Sequence, residues 1–341
     1  MELEWSDFLK WTRETQPGSV SEQTLTLENE VTVEIWDSGV MVAHPPKPGS
    51  KDIILSCAVH GDETAPIEMV RDIAHDIIAG DLVPAHRVML LIANPDAINN
   101  GTRFVDENMN RLFSGAHANG NTAEHKRAQK LEYYVQRFYD EATGTKRQRF
   151  HYDLHTAIRD SMHEKFAVHP FTHGKPYKKN ELSFLNHCGI EAVLLSQSAT
   201  TTFSYFSAEQ FEANAFTVEL GKVKPFGEND MSRFASADKG LRELINQHDL
   251  QLPEFDANQL KIYEVTRVID RQHEDFQLHF PTDVANFTPF EQGYVLATDG
   301  ETEHCIETAG ERIVFPNAKV KIGQRALLLV AEIPASRLKL V

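Results

Sequence analysis

The run Ile53-Ile54-Leu55-Ser56-Cys57-Ala58-Val59-His60-Gly61-Asp62-Glu63 decides the fold. From Ile53 to Val59 it is apolar except for Ser56, the composition of a strand buried on both faces. Polar residues follow at once. Gly61 predicts a sharp turn, and Pro66 suits the first turn of a helix. Ile67, Val70, Ile73, Ala74, Ile77 and Ile78 recur at helical spacing, and Gly80 is placed to end that helix. His60 and Glu63 therefore fall in a strand-to-helix loop at the carboxyl end of a core strand. Open α/β sheets place their ligands there.

An imidazole and a carboxylate three residues apart in such a loop can converge on one cation. Two His and one Glu, with a position left for water, form a catalytic zinc donor set. Taken alone, the pair also fits a packed histidine beside a solvated carboxylate, so a second His is required. A further His-x-x-Glu, His304/Glu307, has no buried parallel strand before it and reads as a chance match.

Outward from this unit the pattern continues. Val31–Trp36 and Val40–His44 read as a hairpin at the sheet edge, after a short amphipathic helix carrying Trp5, Phe8, Leu9 and Trp11 within residues 1–15. Arg87–Ala93 is a second buried strand, and Asn94-Pro95-Asp96 is a turn signal. Residues 97–121 read as a long loop, a length that is usually functional. Thr122–Ala142 is a helix with Leu131, Tyr134, Val135 and Phe138 on one face. Phe150–His155 alternates, with Phe150, Tyr152 and Leu154 on one side and His151, Asp153 and His155 on the other. Ala192–Ser196 and Ala215–Leu220 are further strands, and Met231–Asp249 is a helix. Strands alternating with helices over residues 50–250 predict an α/β fold with a largely parallel sheet flanked by helices. After the linker Gln251-Leu252-Pro253-Glu254, short runs separated by turns predict a small all-β module. The expected domains are 1–253, catalytic α/β, and 254–341, β-rich.

The chain has 341 residues and a net charge of −16. That charge argues against general nucleic-acid binding, which needs a basic surface. An anionic ligand must then meet a local pocket of positive charge. The acidic start, Met1-Glu2-Leu3-Glu4, lacks the form of a signal peptide. No apolar run approaches the ~20 residues that span a bilayer. Cys57, Cys188 and Cys305 are odd in number and widely spaced, which suits a reducing cytoplasm rather than a disulfide framework.

Three further places offer chemistry. His155 ends the alternating strand and meets His60 if the two strands are neighbours, with Asp153 able to orient a ligand from behind. Glu219 closes the strand Ala215-Phe216-Thr217-Val218 and, beside a metal, is placed to act as a general base. The loop from Gly101 to Arg111 supplies Arg103 and Arg111, permanent cations suited to carboxylates. Each has a plainer reading, as a strand end or a solvated loop. Cys57 beside His60 suggests a thiol nucleophile, but a small apolar residue in a packed strand explains it as well.

In their order, His60-x-x-Glu63, Arg103 with Asn110-Arg111, Asp153-Leu154-His155-Thr156 and Glu219-Leu220-Gly221 resemble the motif set of the zinc carboxypeptidase superfamily. More closely they resemble its branch of succinylglutamate desuccinylases and aspartoacylases. His60-Gly61-Asp62-Glu63-Thr64-Ala65-Pro66, Asp153 to Arg159, Glu219-Leu220-Gly221-Lys222 with Pro225-Phe226-Gly227, and Asn286 to Glu291 lean toward the desuccinylases. The resemblance covers nearly the whole chain. It implies one zinc ion held by His60, Glu63 and His155, Glu219 as general base, Arg103 as oxyanion donor, and Asn110 with Arg111 gripping a substrate carboxylate. Arg159 and Lys222 are candidates for other carboxylates. The implied reaction is hydrolysis of N-succinylglutamate, a small anion, to succinate and glutamate, the last step of arginine breakdown by the succinyl route. An aspartoacylase-like deacylase, a carboxypeptidase and a non-catalytic zinc or carboxylate binder are the alternatives. Two departures stand out. Aspartoacylases typically have Asn where this chain has Thr156, and the family's usual Asp-x-Asn-Arg reads Asn108-Met109-Asn110-Arg111 here. The resemblance makes position 108 an acceptor for the first zinc His, here without charge.

Overall fold

A computed structural model describes residues 5–142 and 147–341. The sheet is built from β1 (Gln23–Thr26), β2 (Thr32–Asp37), β3 (Val40–His44), β4 (Lys51–Cys57), β5 (Arg87–Ile92), β6 (Gln148–Ala157), β7 (Phe166–His169), β8 (Ala192–Leu195), β9 (Asn214–Lys222) and β10 (Lys261–Asp270). Later strands are β11 (Gln277–Leu278), β12 (Val295–Asp299), β13 (Thr302–Cys305), β14 (Arg312–Val314) and β15 (Arg325–Glu332). Twelve strands form one sheet in the order β1-β2-β3-β5-β4-β6-β9-β7-β8-β10-β15-β14, and β11-β12-β13 form a separate antiparallel sheet. Between residues 50 and 250 neighbouring strands run parallel except β9 and β7.

Strand β4 carries the organisation. The chain leaves it for β5 on one side and later reaches β6 on the other. The crossovers thus diverge, opening a crevice at the carboxyl ends of the strands. Ile53, Leu55 and Cys57 point into one core and Ile54 into the other, as a two-sided buried strand requires. The first core is closed by helices α1 (Phe8–Glu14) and α2 (Thr64–Ala79), and by α5 (Lys179–His187) and α7 (Ala235–Asn246). The second is closed by α4 (Ala123–Asp140) and α6 (Phe203–Phe211). Gly80 caps α2 in the left-handed conformation, as its position predicts. The alternation in β6 also holds, with Phe150, Tyr152 and Leu154 in the first core.

Several expectations change. The Asn94-Pro95-Asp96 turn is a helix start instead: Asn94 accepts a bond from the Ala97 N–H and Pro95 begins α3 (Pro95–Asn100). Proline and Asn suit a turn and a helix entry alike, so the pattern was ambiguous. The hairpin β2–β3 is not the sheet edge, because the short, exposed β1 pairs outside it. The helix expected over 231–249 is a 3₁₀ turn, Met231–Phe234, followed by α7. The first four residues of the expected amino-terminal helix lie outside the described residues.

The β-rich segment is joined to the main sheet. β10 lies parallel to β8 and antiparallel to β15, so pairing runs on past the linker at 251–254. Phe287, Val314 and Leu328 share a core with Phe166 and Leu194, while Phe276, Phe280, Leu296 and Leu327 form a separate core. No helix among the described residues is long and apolar enough to cross a membrane.

Candidate active site

Register brings the site together. Ser56 of β4 lies opposite Asp153 of β6, and His155 of β6 lies opposite Glu219 of β9. His60 and Glu63 follow β4 in the loop before α2. That loop is tight: Ala58 holds φ +59°, an uncommon conformation for a non-glycine residue. Gly61 is required for a different reason from a turn. A Cβ there would stand 2.3 Å from the Ala97 backbone, so only glycine lets α3 approach.

Glu63 is the hub. One carboxylate oxygen lies 2.8 Å from His60 Nδ1 and 2.6 Å from Arg103 Nη1. The other lies 2.8 Å from His155 Nδ1 and accepts the Thr156 N–H at 3.1 Å. Behind the rings, His60 Nε2 lies 2.9 Å from Asn108 Oδ1, and His155 Nε2 lies 2.9 Å from Asp153. Asn108 Oδ1 also accepts the Asn110 N–H, which fixes its amide orientation. Ser56 hydroxyl bonds Asp153 and His151, and His151 in turn meets Ser207. His60, Glu63 and His155 are all buried, with ligand atoms within 4.8 Å of one another.

The electrostatics differ between the two rings. Burial, helped by Arg103, pushes the His60 pKa down to about 4 despite Glu63. For His155, burial is outweighed by Asp153 and Glu63, which hold its pKa well above the ordinary value. Glu63 is buried too, yet His60, His155 and Arg103 hold its carboxyl well below the usual range. Glu219 goes the other way. Burial, with the charges of Glu63 and Asp153, lifts it to about 7 against the pull of His155 and Arg103. One of its carboxylate oxygens is buried without a hydrogen-bond partner.

These residues open into a cavity of about 1150 Å³. His60, Arg103, His155 and Glu219 line one end, and Phe276, Phe280 and Phe315 of the β-rich segment line the far wall. Asn110 also lines it; its carbonyl accepts the Phe203 N–H at 3.0 Å, leaving the amide N–H₂ for a ligand. Arg111 lines it and spends one N–H on its own neighbour's carbonyl, Asn110, at 2.8 Å.

Two expected carboxylate binders are placed otherwise. Lys222 is not among the lining residues; it pairs with Asp160 at 2.9 Å and is 49% exposed. β9 carries Glu219 to the crevice, and the chain has moved out to the surface three residues later. Arg159 lines the cavity, but its Nε and Nη1 are committed to the carbonyls of Pro316, Thr282 and Val284. It ties β-rich loops together. The chance His-x-x-Glu pair stays apart from the site, with Glu307 bonded to Arg267. Among the described residues one other donor cluster occurs, His273, Asp275 and Asp299. Asp299 there holds the Gln272 and His273 N–H groups of a turn.

Ser56 and His151 were missed as parts of the site. Both left a trace: Ser56 is the lone polar residue in the apolar run, and His151 shares a strand face with Asp153 and His155.

The family model described as the succinylglutamate desuccinylase/aspartoacylase catalytic domain matches residues 49–245. The chain belongs to that family. A second model, the AstE/AspA barrel-sandwich hybrid domain, matches residues 258–333. A succinylglutamate desuccinylase of Idiomarina loihiensis is 56% identical over 99% of both chains. One from Shewanella piezotolerans is 50% identical over 95% of both. A solved Vibrio parahaemolyticus family member, named as that same enzyme, superposes with a TM-score of 0.85 at 40% identity, covering 96% of this chain and 95% of its own. Murine aminoacylase 3 shares the fold at a TM-score of 0.59 and 19% identity, covering 84% of this chain and 97% of its own.

Proposed function

We propose that this chain hydrolyses N-succinyl-L-glutamate to succinate and L-glutamate, using one zinc ion held by His60, Glu63 and His155. The observation that carries the reading is the Glu219 carboxylate, buried beside those three residues with one oxygen unpartnered. Its full-length similarity to succinylglutamate desuccinylases supports the choice of substrate.

The donor set fits a cation. Each ring faces two acceptors, Glu63 at Nδ1 and Asn108 or Asp153 at Nε2. His60, which burial keeps neutral, has one N–H, so with Nε2 donating to Asn108 its Nδ1 presents a lone pair toward a Glu63 oxygen. A divalent ion among these atoms removes that conflict. Zinc bound there supplies a Lewis acid and lowers the pKa of a water toward ~7.

The chain's own residues do the rest. Glu219, poised near neutrality, accepts a proton from the attacking water and delivers it to the leaving nitrogen as the amide C–N bond breaks. Arg103 donates to the carbonyl oxygen as negative charge gathers on it. Losing one such donor typically costs about 3–4 kcal/mol of transition-state stabilisation. The Asn110 amide N–H₂ and the Arg111 guanidinium hold a carboxylate of the substrate. Residues 254–341 act as a roof that limits access to small molecules, over a catalytic unit of residues 1–253. Three unpaired cysteines suit a cytoplasmic setting.

The test is turnover of N-succinylglutamate, N-acetylaspartate and carboxyl-terminal peptides by zinc-loaded protein, with and without chelator. N-succinylglutamate should be the preferred substrate and chelation should abolish its hydrolysis. Stoichiometric zinc without hydrolysis of any of the three, or a preference for N-acetylaspartate, overturns the reading.

A further inference from the structure

Arg325 opens β15, in the β-rich segment, and faces the same cavity as Arg111. Its Nε is buried and has no hydrogen-bond partner. Among the described residues its guanidinium makes no ion pair, although it stands 5.6 Å from the Phe315 ring centroid. Asp270, its cross-strand neighbour, and Glu219 attract it from a distance without bonding it. Burial pushes its pKa down to about 10, against those two carboxylates. Among the described residues Arg111 likewise has no acidic partner; burial, then Arg325 and Arg103, push its pKa down to about 9.

Two half-buried guanidinium groups that repel each other and lack a counterion destabilise the empty protein. Natural chains pair such groups unless a ligand does so. The acidic protein as a whole, at −16, makes an uncompensated local excess of cations still less expected. Arg87, Arg127 and Arg147 show the ordinary outcome elsewhere in this fold, each bonded to a buried Asp. Phe315 on one flank limits how far Arg325 can swing, so the fork is held for a planar anion.

We propose that Arg325 is a substrate-binding residue holding a second carboxylate, distinct from the one on Arg111, so that the β-rich segment selects for polycarboxylate amides. This rests on the reaction proposed above. N-Succinylglutamate carries three carboxylates, and one guanidinium alone would leave two without a cation.

Binding to metal-free protein separates this inference from the reaction, because no turnover is needed. Calorimetric titrations would use N-succinylglutamate and three analogues, each lacking one carboxylate: N-butyrylglutamate, N-succinylnorvaline and N-succinyl-4-aminobutyrate. Arg325→Gln should weaken binding of N-succinylglutamate about 10- to 100-fold, the range of a charge-assisted pair. For one analogue, the one missing the carboxylate that Arg325 holds, wild type and Arg325→Gln should bind alike. Arg325→Lys should recover part of the loss. In zinc-loaded protein the same variant should raise KM with kcat little changed. An equal loss for all four ligands, or no loss for any, overturns the proposal. Circular dichroism of Arg325→Gln matching wild type assures that lost binding is not lost folding. If the binding pattern holds and the zinc-loaded wild type still does not hydrolyse N-succinylglutamate, the reaction is wrong and the carboxylate site stands.

Discussion

The two ends of the cavity handle charge in opposite ways. At the β4–β6–β9 end, the metal-site charges are answered: Glu63 meets His60, His155 and Arg103, and Asp153 backs His155. Where the β-rich segment meets the cavity, Arg325 and the neighbouring Arg111 have no acid bonded to either among the described residues. The first arrangement is held by hydrogen bonds among its own side chains. The second leaves two buried cations for an anion to neutralise. Rigid chemistry at one end and ligand-completed recognition at the other is the division expected when binding energy must not disturb the reacting groups.

The sharpest way to break the contrast is at Glu219, an acid of the first end left partly unsatisfied. Glu219→Gln should bind zinc normally and lose about 10³-fold in kcat. The reaction needs the ionised carboxylate, so wild-type kcat/KM should fall as pH drops below about 7, the value to which burial raises Glu219. A bound cation favours the ionised form and moves that limb lower, not higher. The stability sign is the reverse. The folded pKa exceeds the unfolded one, so the contribution of Glu219 is present in acid and lost as pH rises through about 7. Metal-free Glu219→Gln should therefore melt above wild type at pH 8 and alike at pH 4. Near-normal turnover in this variant would remove Glu219 as the base.

A smaller effect should follow from the difference between the two imidazoles. His155 is backed by the Asp153 carboxylate, His60 only by the Asn108 amide. A charged acceptor raises ligand basicity, and such outer partners typically change metal affinity 10- to 100-fold. Asn108→Asp should tighten zinc about 10-fold in competition with a chromophoric chelator. Unchanged affinity would mean that the neutral acceptor already suffices.

The smallest effect is expected at Lys222. Its pair with Asp160 is on the surface, and such pairs contribute little. Lys222→Met should leave KM for N-succinylglutamate within about 2-fold. A KM raised as far as in Arg325→Gln would bring Lys222 back to the substrate and undo the contrast.

Much of the first end was legible in residue order. The apolar run through Val59, the helical spacing after Pro66 and the two-residue alternation in β6 are local patterns. They placed His60 and Glu63 in a strand-to-helix loop and Asp153 and His155 on one face of a strand. Asn108 as acceptor came from a resemblance, and the 2.9 Å contact agrees with it. Of the second end, only Arg111 was legible, from its loop and the resemblance. Arg325 has no distinguishing neighbours in sequence, and Lys222 follows the motif Glu219-Leu220-Gly221 as though it belonged to it. Strands β7 and β13 are four residues each, too short for periodicity to show.

Residue order alone determined the strand that organises the sheet and the loop that carries the first two donors, because burial on both faces and helical spacing are written within one stretch of chain. Only the folded molecule decided which side chains share the cavity. Pairing β10 with β8 and β15 brings Arg325, more than two hundred positions away, to face Arg111. Whether a cation finds an acid or waits for a ligand depends on such long-range juxtaposition, and no local pattern encodes it.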